Sequence, residues 1–472
     1  MKKTIALLLV LALALSMAAC TKEPTQTPDP GSNTENTTPN NEGGNENTTP
    51  DDGGSQADEP TETGYVQGVT DTTIYIGNTA ATTGAFAAVG VPFNAGLEAA
   101  LLAYNTAGGF GGRSVELKHY DDGFDAAQGM TYTKTLVEDD KVFALVGHFG
   151  TNTVAATMDY VKETGIPAPY IVTGISDLYA EGLSGKAACY FPVQPIYNGE
   201  GRMLLARAMA SSENGVGLGG TKIGVLATTD DAGAGMLSGI RRQAQEGAVE
   251  LTVQEVDASA TDYISAVSYL MAQGCDVVIA AMNQAPLAVA IASMAGVEYN
   301  VPVITSYVNA SATTLGTLVG SGYITAERPV YSTAWLDTST EAGLNDYYAF
   351  MNSMMAWEAA NGIDSSDYTQ TYILNSYAMA GYVAGITFLH GLEQLTASGK
   401  ELTWENYIAA MESAPMHVPM GGEIDFAGGD RLGITALALN TISLEPDPET
   451  GVYALAVVSP IMSMEDVWAT VK

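Results

Sequence analysis

The sequence predicts an α/β fold of two layers in series, each a buried parallel sheet with helices packed on it. Two observations carry this. Short runs, apolar throughout, recur along the chain and each feeds a segment with helical spacing, which is how strands covered on both faces read. The rhythm breaks near Phe191-Pro192 and then resumes. A third observation is size: 472 residues at 46% hydrophobic exceed one ordinary core and suggest about two domains.

The first layer opens with the apolar run Ile74-Tyr75-Ile76, followed by Phe93, Leu97, Leu101 and Tyr104 at helical spacing. The stretch Gly108-Gly109-Phe110-Gly111-Gly112 ends that helix. Val115 to Tyr120 reads as a strand, Ala126 to Glu138 as a helix, Val142 to Val146 as a strand, Thr151 to Glu163 as a helix and Ala168 to Val172 as a strand. The second layer has strands at Lys222 to Ala227, Leu251 to Val256, Asp276 to Ala281 and Val301 to Thr305. Its helices are Gly233 to Gln245, Tyr263 to Ala272 and Pro286 to Ala295. Residues 340 to 412 read as mostly helical, with Tyr347, Phe350, Met354 and Trp357 on one face. Ile424-Asp425-Phe426 and Tyr453 to Val458 read as extended.

Ahead of this body stand Lys2-Lys3, an apolar run from Ile5 to Leu15, and Ser16-Met17-Ala18-Ala19-Cys20. A basic start, a short apolar core and small residues before a cut make a secretory signal. The core is shorter than the roughly 20 apolar residues a membrane span needs. Cys20 after Ala18-Ala19 resembles a bacterial lipobox, so residues 1–20 are expected to be a lipoprotein signal whose Cys20 is acylated. Residues 21–64 are Thr, Pro, Asn, Gly and acid; they cannot bury enough apolar surface to offset ordering entropy and are expected to form a disordered tether.

The chain carries 18 Lys and Arg against 53 Asp and Glu, a net charge of −35. The signal contributes two lysines and the tether one lysine against ten acids, which leaves −28 for residues 65–472. That balance argues against nucleic acid, whose binders need a basic face, and against lying on an anionic membrane surface. Three Cys with no C-x-x-C do not suggest a disulfide scaffold or a structural zinc site; Cys189 and Cys275 are expected to be separate buried thiols.

Motifs for catalysis are missing. Gly219-Gly220-Thr221-Lys222 has the wrong order for a phosphate loop, no G-x-S-x-G or H-E-x-x-H occurs, and His119, His148, His390 and His417 stand apart. Asp121-Asp122 could be a metal pair but reads better as a turn or helix cap. No catalytic residue, metal or cofactor is expected. What remains is a set of polar loops at the C-terminal ends of strands, the edge where open α/β sheets bind ligands. Gly147 to Thr153 follows one strand and opens a helix, whose N-terminus suits a carboxylate. Thr151 and Asn152 would add side-chain donors there, or serve only as the helix cap. Thr173, Gly174, Ile175 and Ser176 form a second such loop.

Asn105-Thr-Ala-Gly-Gly-Phe-Gly-Gly-Arg-Ser-Val-Glu-Leu117, Tyr120-Asp-Asp-Gly-Phe-Asp-Ala-Ala-Gln128 and Val146-Gly-His-Phe-Gly-Thr151 resemble the first lobe of the leucine/isoleucine/valine-binding proteins. These are type I periplasmic binding proteins that serve ABC importers. The resemblance implies two doubly wound, Rossmann-like lobes joined by three crossovers, with a ligand cleft between them. The lobes would be residues 65–192 plus 333–428, and 193–332 plus 429–472. It implies a monomeric, extracytoplasmic solute-binding protein, tethered to the outer face of the cytoplasmic membrane through Cys20. That protein would deliver an amino-acid-like or amide ligand to permease subunits. A sensory receptor domain of the same fold, or less readily an extracellular hydrolase, are the alternatives; the residues after 460 carry no spanning or signalling pattern.

Carried over by position, the family's carboxylate-holding serine falls on Thr151 and its second contact loop on Thr173 to Ser176. The aromatic before the Gly-x-Gly of the first helix in the second lobe is Ala232 here, the next wall residue falls near Asn283, and the acid that meets an α-ammonium falls near Tyr307. These departures imply either a ligand without that ammonium or a substitute acid, for which Asp230 and Asp231 are the nearest candidates, though their pattern reads more readily as a solvated loop or a helix cap. Phe86 would fill part of the space Ala232 leaves or else pack in the core, and Tyr197, near the first crossover, would reach the cleft or else pack at the hinge.

Overall fold

The structure is a computed structural model that describes residues 66–213, 215–368 and 370–471. Cys20, the expected signal and the expected tether lie outside the described residues. Residues from Tyr65 onward form one compact unit.

The first sheet is built on β1 (Thr73–Ala80), flanked in parallel by β2 (Ser114–Asp121) and β3 (Ala144–Leu145). It continues through β4 (Ala168–Pro169), paired in parallel with β5 (Tyr190–Phe191). The join is made by Leu145 N–H donating to Pro167 O at 2.8 Å and Gly147 N–H to Pro169 O at 3.2 Å. β4 is shorter than the apolar run Ala168 to Val172 because Pro169 has no N–H for the ladder. The expected helix from Ala126 is α-helical over Ala126–Lys134 and then widens into a π-turn over Thr135–Asp139.

The second sheet has seven strands in the order β14-β13-β10-β9-β8-β6-β7. Its parallel part is β6 (Ile223–Thr228), β7 (Leu251–Val256), β8 (Val277–Ala281), β9 (Val303–Thr305) and β10 (Val330–Ala334). β13 (Leu437–Ile442) and β14 (Leu455–Met462) add an antiparallel edge. A small hairpin of β11 (Met416–Val418) and β12 (Gly422–Ile424) lies apart from both sheets. β10, β13 and the helices Tyr197–Met209 and Ala312–Gly320 have no counterpart in the periodicity reading. Each lies in a segment whose apolar pattern is broken by polar or small residues, and neighbouring strands or helices supply the order.

The fold is thus two doubly wound α/β lobes that exchange the chain three times: after β5, after β10 and before β13. The exchanges do not fall at residues 332/333 and 428/429. Thr333 and Ala334 still pair with Leu439 and Ala438 in the second sheet. Arg431 still bridges to Ala180 in the first lobe.

Helix Ala87–Thr106 packs on the first sheet and is covered by helix Ser376–Ser398. Their backbones nearly touch: a Cβ on Gly381 would stand 1.8 Å from Phe93 O, so only glycine allows this approach. The C-terminal helical segment thereby becomes part of the first lobe, although the second sheet separates it in sequence.

The crossings are clamped by Arg431, which is fully buried. Its guanidinium donates to Tyr190 O (2.5 Å) and Ala188 O (2.6 Å) at the first crossing and to Asp430 O (2.9 Å) beside itself. It also pairs with Glu412 at 2.5 Å and lies over the Phe191 ring at 4.4 Å. Removing it strands buried carbonyls and a carboxylate. Arg431→Leu should lower the unfolding free energy by about 3 kcal/mol in urea denaturation; an unchanged midpoint would show that the crossings are held by other contacts.

Candidate functional site: the cleft between the lobes

The loop Gly147-His148-Phe149-Gly150 ends the β3 edge and opens helix Thr151–Thr164. Gly150 takes the N-cap position with φ 95°, a backbone shape that disfavours any side chain, and a Cβ there would press on the Phe124 ring at 3.1 Å. The cap is therefore glycine, without a side-chain cap bond. Thr151 is freed from capping: its hydroxyl lies 3.0 Å from that of Thr173, across the sheet edge. Tyr197, from the first helix of the other lobe, lines the same cavity. All three residues are buried. His148 beneath them is wholly buried, bonds Thr157 Oγ1 at 2.7 Å, and burial pushes its pKa down to about 4, so its ring is neutral.

These hydroxyls line a cavity of about 400 Å³ between the lobes, within the usual range for small-molecule sites. The first lobe contributes Phe86, Phe93, Phe124 and Phe149; Phe86 and Phe124 stack at 3.9 Å. The second contributes Asn283, Gln284, Tyr307 and Asn440. Trp335, at the second crossing, and Gln194, at the first, close the sides. Tyr347, Ser376 and Tyr377 arrive from the helical segment that packs on the first lobe.

The wall at Tyr307 rests on a buried acid. Glu200 is 1% exposed and its carboxylate accepts from Ser306 Oγ (2.7 Å), Tyr307 N–H (2.7 Å) and the Thr333 hydroxyl. The Tyr307 hydroxyl in turn donates to Pro195 O at 3.1 Å. Burial pushes the Glu200 pKa up to about 7, against the lowering effect of those donors.

Of the residues the sequence singled out, Phe86, Thr151, Thr173, Tyr197, Asn283 and Tyr307 share this cavity. The rest lie outside its lining. Asn152 is exposed and its amide donates to Phe124 O at 3.4 Å. Gly174 O accepts from Tyr197 N–H at 2.6 Å, Ile175 is core, and Ser176 starts a short turn with its hydroxyl unpartnered. Asp231 is exposed on the first turn of helix Asp231–Glu246, and Ala232 is fully buried in that helix. Asp230 is that helix's cap, accepting from Gly233 N–H at 3.0 Å and from the Thr228 hydroxyl at 2.7 Å. Asp121 and Asp122 close the turn after β2, accepting from Thr82 N–H, Gly123 N–H, Phe124 N–H and the Thr153 hydroxyl. Neither Asp230 nor Asp231 is among the residues that line the cavity.

Sequence reasoning missed Trp335, Gln284, Tyr377 and Tyr347. A signal existed for Tyr377: Asn375 caps its helix by accepting from Tyr377 N–H and Ala378 N–H, and an Asn before a long apolar helix marks an N-terminus. Cys189 and Cys275 are separate buried thiols.

A two-lobed α/β body with a cleft lined from both lobes defines a binding protein that encloses a small molecule. The chain belongs to the periplasmic binding protein family, whose model matches residues 73–444. It is 26% identical over 208 residues to an amino acid binding protein of Pseudomonas aeruginosa, covering 43% of this chain and 52% of that protein. It is 34% identical over 93 residues to the Leu/Ile/Val-binding protein homolog 2 of Brucella abortus, covering 20% of this chain and 25% of that one. The matched stretches thus span about half the length of these curated relatives or less. In fold it is similar to a fatty acid ABC transporter substrate-binding protein from Thermomonospora curvata: TM-score 0.69 and 18% identity, covering 85% of this chain and 95% of that one. The family and these neighbours are solute-binding proteins, not enzymes.

The elevated Glu200 pKa carries a sign. The folded state holds this proton more tightly than the unfolded chain, so its contribution to stability is full below the ordinary pKa of 4.5 and is lost as pH rises through about 7. Between pH 4.5 and 8 the wild type should lose about 2–3 kcal/mol that Glu200→Gln does not lose. Parallel pH profiles of urea unfolding would check this; coincident slopes would refute it.

Proposed function

We propose that this chain is the extracytoplasmic solute-binding component of an ABC importer. It captures a small organic molecule in the cleft and delivers it to permease subunits. The observation that carries the reading is the cavity of about 400 Å³ whose walls come from both lobes, so that lobe closure and ligand capture are one event. Thr151 and Thr173, at the N-terminus of helix Thr151–Thr164, would receive a carboxylate or amide oxygen, and Tyr197 would close over it. The apolar side of the wall is consistent with the fatty acid transporter relative as much as with the amino acid binding ones. The protein works as a monomer, held by lipid on Cys20 and extended from the membrane by residues 21–64.

Two measurements test the reading. Expressed with its signal, the wild type should label with a radioactive fatty acid and fractionate with membranes, and Cys20→Ala should do neither. The purified folded protein should retain a small molecule on native mass spectrometry or show a rise in Tm with a solute from a broad metabolite panel. A folded protein that binds nothing would sink the capture function, whatever the anchor does.

A further inference from the structure

We infer that the cleft takes a carboxylate with an aryl or alkyl body and no ammonium group, a class distinct from α-amino acids. This rests on the cleft being a solute-capture site. Among the described residues that line it, the side chains are aromatic, aliphatic, thioether, hydroxyl or amide, and none is Asp, Glu, Lys, Arg or His. An ammonium sealed in such a wall would exchange water for neutral groups with no counter-charge. Four acids stand close to lining residues in the chain or behind them, and none is in the lining. Asp337, between Leu336 and Thr338, accepts from the Ser339 N–H at 2.7 Å and the Ser339 hydroxyl at 2.5 Å. Glu200 stands behind Tyr307 with Ser306, Tyr307 N–H and Thr333 as its partners. Asp230 caps a helix, and Asp231 is exposed.

The wall offers an anionic head a place at Thr151. The hydroxyls of Thr151 and Thr173 meet at 3.0 Å at the start of helix Thr151–Thr164, whose first-turn N–H groups have no intrahelical partner. Next to them begins the aromatic part of the wall. Phe86 and Phe124 stack on each other at 3.9 Å, so each presents one outer face and its edges to an apolar body. Asn440, which is 7% exposed, also lines the cavity, and its side-chain oxygen is buried with no protein partner. It too is neutral and adds no charge that could select an ammonium.

Matched pairs that differ only by the ammonium isolate the claim: 3-phenylpropanoate against L-phenylalanine, and 4-methylpentanoate against L-leucine, with octanoate and choline added. Calorimetry on the full chain should show the ammonium-free acid of a pair binding about a hundredfold tighter than its amino acid. Any molecule carried through purification should contain a carboxylate and no amine. Thr151→Val should weaken acid binding about tenfold or more, and Thr151→Ser should restore it. Equal or tighter binding of the amino acids or of choline, or a retained amine, would overturn the inference while leaving solute capture intact. Unchanged acid affinity in Thr151→Val would remove the head-group assignment. A folded protein that neither retains nor binds any solute would overturn both this inference and the capture reading.

Discussion

The cleft depends on holding three crossing segments between two sheets that share no strand. The chain leaves the first lobe after β5, returns after β10 and leaves again before β13, and a loose crossing would let the facing walls slide. Arg431 supplies the fixed point. Its planar fork reaches carbonyls of residues 188 and 190 from a position on the third crossing, and its face rests on Phe191. A flexible ammonium could not satisfy several diverging carbonyls and a ring at once. A second buried arginine, Arg207, does related work one layer away, donating to Leu437 O at 2.7 Å and Val216 O at 2.7 Å and so tying the first helix of the second lobe to β13.

From that clamp the polar organisation follows. Net charge is deeply negative, yet charge is kept away from the cleft. Carboxylates near it are spent on architecture: Glu200 on the Tyr307 turn, Asp230 on a helix cap, Asp122 on the turn before helix Ala126–Lys134. The cleft is left with hydroxyls, amides and rings. Such a wall selects by shape and by hydrogen-bond position more than by charge. The helix N-termini that open beside Thr151 and Gln284 are fixed electrostatic features it retains.

Strand and helix positions in the two parallel layers could be read because each buried strand is a continuous apolar run and each helix shows its own period. The polar loop at Gly147 to Thr153 could be read as a ligand edge because it follows a strand and opens a helix. Only part of the site was legible this way. Thr151, Thr173, Tyr197 and Tyr307 lie at strand ends or crossings where the pattern points. Trp335, Tyr347 and Tyr377 come from segments that sequence separates from the first lobe and that join it only by packing. Asp231 illustrates the opposite error: it is adjacent to a strand end in sequence, but a helix's first turn carries it to the surface.

By itself, the sequence determined the alternation of strands and helices, the acidic balance of the body, and the glycine-rich loop ahead of Thr151; that Gly150 caps the helix and leaves Thr151 free was decided by the folded backbone. The first three are local properties, set by residue type and spacing. Tertiary structure decided which carboxylates are structural, which aromatic rings face the ligand, and that the C-terminal helices complete the first lobe. Those outcomes hang on contacts between residues far apart in the chain, such as Gly381 against the Phe93 backbone and Glu200 beneath Tyr307. No local pattern encodes them, because burial and partnership arise only when distant segments meet.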